Sequence, residues 1–258
     1  MTALWIFGDS FAHYTPHDIW IQQLRDLTDT KPQYFGEGGT SMEYTYEKFN
    51  QQRNNIQDED IIIIALTDIN RRWFLRDNLK DTIWMIMSQD TEESKAVEAY
   101  LKCLNNPIHE VYLTNFMHNL EYLTKQKRTR TIILPCFDST LNWLLSNKLQ
   151  FPSITVADRS LLSISENEFK DPQLLPLYTQ VVQGDLRRCH FIKSNHTILA
   201  EKLADTINNK KPLTLSQGFV EGVLTKDTLK DTDFSHKELF DVHIIPEREY
   251  WDRCVSLL

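Results

Sequence analysis

Four short polar segments hold the residue types that nucleophilic catalysis needs. Gly8-Asp9-Ser10 follows the apolar run 3–7. Gly38-Gly39-Thr40-Ser41 follows residues 33–35, and Thr67-Asp68-Ile69-Asn70 follows the aliphatic run 60–66. The fourth segment runs from Asp185 to His190, just before a helical stretch. A serine hydroxyl is a weak nucleophile until a neighbouring imidazole takes its proton. Glycine lets backbone N–H groups come close to a developing oxyanion. The four segments therefore offer a nucleophile, oxyanion donors and a base, provided that the fold brings them together.

The intervening chain supplies elements that would do so. Residues 3–7 and 33–35 read as strands, the first followed by a turn. Residues 60–66 (DIIIIAL) are aliphatic at successive positions, as a central parallel strand buried on both faces must be. Residues 131–134 form a further strand ended by Pro135, and 151–156 a strand or extended segment. Helical spacing places a helix over 18–27, opened by Pro16 and Asp18. A second lies around 43–53, with Thr40 or Ser41 as its cap. Helical signal dominates 90–127, with a break at Pro107. A short helix covers 141–145, and residues 160–180 read as loop. A last helix covers 194–207, capped by Ser194. Alternating strands and helices predict a three-layer α/β/α sandwich with a mostly parallel central sheet. In such sheets reactive groups gather at the carboxyl ends of the strands, where the polar segments fall. Lys210-Lys211-Pro212 marks a boundary between a domain at 1–211 and an extension at 212–258. The extension is polar, with short helices at 237–242 and 247–255. It is expected to pack on the domain, or to dock a partner or a second copy of the chain.

Three of the polar segments resemble the blocks of a known family. Phe7-Gly8-Asp9-Ser10-Phe11 resembles the block that opens the SGNH/GDSL hydrolases. Gly38-Gly39-Thr40-Ser41 is similar to their glycine block. His190-Phe191-Ile192-Lys193-Ser194-Asn195-His196 resembles their last block, in which a second histidine or similar residue follows the first by six. The resemblance spans residues 7–207 and leaves the extension out. It implies the flavodoxin-like form of the sandwich, with Ser10 as nucleophile and His190 as general base. The backbone N–H groups of Ser10 and Gly39 would be oxyanion donors, and His196 would be structural.

Two positions depart from the family pattern. Thr67 stands in the slot of the third-block asparagine, so its hydroxyl or Asn70 would be the third oxyanion donor. Arg187 stands where the family has its aspartate, three residues before the histidine. The nearest carboxylate is Asp185, five before His190. Either Asp185 orients the ring, or the pair works as a dyad helped by a backbone carbonyl. The implied activity is hydrolysis of a carboxylic ester through a Ser10 acyl-enzyme, with no cofactor and no metal. A small or carbohydrate-borne ester, such as an O-acetyl group, is the favoured substrate, with thioesters and lysophospholipids as alternatives.

Composition narrows the alternatives. Net charge is −8, with 28 basic and 36 acidic residues. That balance argues against phosphate-backbone binding as the main task. The four cysteines, Cys103, Cys136, Cys189 and Cys254, form neither a disulfide framework nor a zinc knuckle. The amino terminus has no basic segment followed by a long apolar one, so the expected location is cytoplasmic, with release by lysis or on a particle as the exception. A Cys189–His190 pair is disfavoured because adjacent side chains diverge, and Asp185, His190 and His196 match no strong metal pattern. His13 and His17 are candidates for a pocket mouth, and Trp73, Phe74 and Trp84 for core or pocket walls. The competing reading is a degenerate domain of the same type that binds carbohydrate or protein. A nucleotide-binding α/β protein is a third, but no GxGxxG or P-loop lysine is present.

Overall fold

The computed structural model describes residues 2–13, 19–69, 71, 95, 107–171 and 190–225. Five strands build one sheet: β1 (Ala3–His13), β2 (Lys31–Gly36), β3 (Ile61–Leu66), β4 (Arg130–Pro135) and β5 (Ile154–Val156). Their order is β2-β1-β3-β4-β5, and every pairing is parallel. The flanking helices are α1 (Trp20–Thr28), α2 (Met42–Gln52), α3 (Pro107–Lys127), α4 (Asp138–Asn147), α5 (Leu161–Asn167) and α6 (Lys193–Asn209). The protein is a three-layer α/β/α sandwich of the flavodoxin-like kind. Among the described residues, no helix is long and apolar enough to cross a membrane.

Strand alternation divides the core in two. Leu4 and Ile6 of β1 and Ile61 and Ile63 of β3 face a layer holding Trp20, Leu24, Leu199 and Leu203 of α1 and α6. Trp5, Phe7, Ile62 and Ile64 face the opposite layer, against Met42, Phe49 and Phe116 of α2 and α3. A central strand needs apolar side chains on both faces, and the run of four isoleucines supplies them.

Several boundaries differ from the sequence reading. Strand β1 does not end in a turn at Gly8. It runs on to His13, with an irregularity in which Gly8 and His13 both align with Gly36. Residues 9–12 are thus an excursion out of the β1–β2 ladder. Pro107 opens α3, as suits a residue without an N–H. Residues 161–167 are helical rather than loop, with Ser160 Oγ accepting the Ser163 N–H at 3.1 Å as its cap. Ser41 stands at the N-cap of α2 without a side-chain cap bond, and Thr40 Oγ1 instead donates to Glu37 O. Ser194 lies inside α6, whose N-cap is Ile192.

Residues 213–225 lie against the domain. Leu213 and Leu215 join the core cluster of α1 and α6, and Leu224 bridges to Phe169. The candidate helices at 237–242 and 247–255 lie outside the described residues.

Gly36 is where the sheet is tightest. A Cβ there would sit 2.2 Å from Ala12 O and 3.0 Å from Ala12 Cβ, because the excursion folds over it. The neighbour is backbone and has nowhere to move. Gly36→Ala is expected to destabilise the protein by about 1–3 kcal/mol through overpacking, read as a lower urea midpoint with an unchanged slope.

Candidate active site

Ser10 lies in the excursion of β1, half-buried. Asp9, just before it, is wholly buried. The Asp9 carboxylate holds the excursion in shape: Oδ1 accepts the Phe11 N–H at 3.0 Å, a local turn of the kind aspartate favours. The Cys136 thiol at the end of β4 lies 3.4 Å from the same oxygen. The guanidinium of Arg71 stands 3.6 Å from Oδ2, forming an ion pair rather than a hydrogen bond, and lies over the Phe137 ring at 4.7 Å. Phe11 O accepts the indole N–H of Trp20 at 2.9 Å, which ties the backbone after Ser10 to α1.

His190 approaches from the other end of the chain. Its Nε2 is 2.7 Å from Ser10 Oγ across 180 residues of sequence. With the ring proton on Nδ1, the serine hydroxyl donates to Nε2, the direction that proton abstraction requires. The Phe11 ring packs against the imidazole at 4.6 Å between centroids, and Phe191 packs on Phe11 at 5.5 Å. The backbone of His190 has φ 68°, in the left-handed region that residues other than glycine adopt infrequently. His196 lies one turn into α6 and is buried. Its Nδ1 accepts the Trp20 N–H at 3.3 Å, so this ring anchors α1 rather than touching the reacting pair.

The glycine loop lies beside Ser10. A Cβ on Gly38 would be 3.9 Å from Ser10 Cβ, and Gly39 has φ 75°, which favours glycine. Glu37 N–H donates to Gly8 O at 3.1 Å, tying the loop to β1. Gly8 itself, with φ 152°, has no room for a side chain: a Cβ would meet Ala65 O at 2.4 Å.

Thr67 is two residues past Ala65 on β3, as Ser10 is two past its partner Gly8 on β1. Thr67 is wholly buried, and its hydroxyl makes no hydrogen bond among the described residues. The loop after it is fixed by the start of α4. Thr140 Oγ1 donates to Thr67 O at 2.8 Å and accepts from Ile69 N–H at 3.1 Å, and Ser139 Oγ donates to Asp68 at 2.9 Å. Asn70 and Asp185 lie outside the described residues, as do His17, Trp73, Phe74, Trp84 and Cys189. His13 ends β1, half-buried.

Sequence reasoning did not find Asp9, Arg71, Cys136, Ser139 or Thr140. Only Asp9 carried a signal, as part of Gly8-Asp9-Ser10. The others meet the site through contacts between distant segments.

Fold and geometry together define an α/β chain with a serine–histidine pair at the carboxyl edge of a parallel sheet. No protein-family model matches the chain, and no curated protein matches it.

Burial pushes the Cys136 thiol well above its usual range, and the negative charge of Asp9 pushes it further. The thiolate is the reactive form, so the side chain stays protonated at pH 8. Iodoacetamide at that pH is expected to leave Cys136 unmodified in the native protein and to alkylate it after denaturation, as read by peptide mass spectrometry.

Proposed function

We propose that this protein is a serine esterase of the SGNH/GDSL type, cleaving a carboxylic ester through an acyl-enzyme on Ser10. The observation that carries the reading is the 2.7 Å contact between Ser10 Oγ and His190 Nε2. Supporting it are the buried carboxylate that shapes the Ser10 excursion and the glycine loop beside the hydroxyl.

The chemistry follows from those positions. His190 Nε2 takes the Ser10 proton as Oγ bonds to the acyl carbon. The carbonyl electrons move onto oxygen, giving a tetrahedral oxyanion. Backbone N–H groups of Ser10 and Gly39 are its donors. Thr67 is the third donor in this reading, because its hydroxyl has no other partner among the described residues. As the intermediate collapses, the bond to the leaving alcohol breaks and His190 gives that alcohol its proton. Water, deprotonated by the same ring, then attacks the acyl carbon, and Oγ leaves with the proton returned. Asp185 or a backbone carbonyl orients the ring. A small or carbohydrate-borne ester such as an O-acetyl group is the substrate class proposed.

Hydrolysis of p-nitrophenyl acetate and longer acyl homologues by wild type, Ser10→Ala and His190→Ala tests the reading. The expected outcome is loss of about 10³-fold or more in kcat in either folded variant. Fluorophosphonate labelling should also disappear in Ser10→Ala. Equal slow rates in all three proteins, with no labelling of wild type, would leave a domain that binds rather than cuts.

Removing the Thr67 hydroxyl asks a separate question. Thr67→Val is expected to lower kcat about 10²-fold with KM little changed, as loss of one oxyanion donor does. Unchanged kcat would assign that position to packing.

A further inference from the structure

Glu168, at the end of α5, is wholly buried. A carboxylate taken out of water needs donors where it lies. Glu168 finds them at the start of α6, the positive end of that helix. Its oxygens accept the Ile192 N–H at 3.0 and 3.2 Å and the Asn195 side-chain amide at 2.7 Å. Ile192 is two residues after His190. Glu168 thus takes the place that the sequence assigned to Ser194 as a cap.

The cluster extends into the chain beyond the last helix. Asn195 Nδ2 donates to Val220 O at 3.0 Å, and Asn195 Oδ1 accepts from Val220 N–H at 2.8 Å. Those bonds fix the amide so that its NH₂ faces Glu168. The backbone is clasped as well: Leu224 N–H donates to Glu168 O at 2.8 Å, Lys170 N–H to Leu224 O at 2.9 Å, and Gly222 N–H to Asn167 O at 2.8 Å. Three segments, 167–170, 192–195 and 220–224, are therefore knit around one buried carboxylate. Next to that knot, His190 holds a left-handed backbone, a conformation that persists only where the surroundings impose it.

We propose that Glu168 is a positioning residue for His190. Together with segment 220–224, it holds the histidine backbone where Nε2 meets Ser10 Oγ. The proposal rests on reading Ser10 and His190 as the reacting pair. It makes the first part of the chain beyond α6 a component of the site's scaffold.

Glu168→Gln in the full-length chain is the test. Glutamine keeps the size but offers a single acceptor oxygen, and it turns an NH₂ toward the donors of Asn195 or Ile192. The ring ¹⁵N signals of His190 are expected to shift or broaden while those of His196 stay in place. The kcat for p-nitrophenyl acetate should fall about 10- to 100-fold with KM little changed, the scale of a small misplacement at a reacting centre. Unchanged His190 ring signals in the folded variant overturn the proposal. Should that variant not fold, amide hydrogen exchange on wild type decides. An Ile192 N–H protected like the buried turns of α6 supports the proposal, and one exchanging like an exposed loop overturns it. A wild type without esterase activity would defeat the hydrolase reading, while the ring signals still report whether Glu168 holds His190.

Discussion

A hydroxyl and an imidazole 180 residues apart meet at 2.7 Å, and the described structure is arranged so that they can. Such a contact tolerates little error, because a hydrogen bond weakens steeply with distance and misalignment. Both groups must therefore be held by rigid elements. Ser10 sits two residues past the part of β1 that pairs with β2 on one side and β3 on the other. His190 precedes α6, which packs beside α1 in the same apolar layer. Trp20 links the two: its backbone N–H reaches His196 on α6, and its indole N–H reaches Phe11 next to the serine.

Buried carboxylates recur at the points where the chain must not move. Asp60 accepts the Ala3 and Gln57 N–H groups and the Trp5 indole, fixing the start of β1 against the turn before β3. Asp9 fixes the excursion that presents Ser10, and Glu168 fixes the backbone after His190. A carboxyl group in an apolar interior is costly without hydrogen-bond donors, so each of these sites favours the local geometry that supplies them. Apolar packing alone would allow the same layers to form with looser loops.

Much of this was legible in one dimension. Four strands, a fifth segment left as strand or extended chain, and a mostly parallel sheet followed from short apolar runs alternating with helical periods, whereas the order β2-β1-β3-β4-β5 did not. The candidate pair came from the resemblance of the segments around Ser10 and His190 to the blocks of a known family. Less legible was anything settled by contacts between distant segments. The helix at Leu161–Asn167 has no clean apolar period, because it buries Leu161, Ile164 and Ser165 and is started by a cap on Ser160. Ser194 looked like a cap because serine favours that role, but a buried glutamate from another helix performs a similar one. The strand through Ser10 read as ending at Gly8, since Asp9 and Ser10 are polar. It continues because Asp9 Oδ1 accepts the Phe11 N–H, Arg71 stands beside Oδ2, and Gly36 leaves space beneath Ala12.

Sequence by itself determined the layer architecture and the central position of the isoleucine strand, and block resemblance singled out the serine and histidine worth pairing. Periodicity and short motifs survive in a linear reading. Tertiary structure alone decided that Ser10 and His190 touch, that Gly38 lies beside the serine, that His196 anchors α1 and that Glu168 braces the histidine backbone. Each of those is a relation between segments far apart in the chain. Its physical cause is the closure of the sheet and the demand of buried polar groups for partners, neither of which exists until the chain has folded.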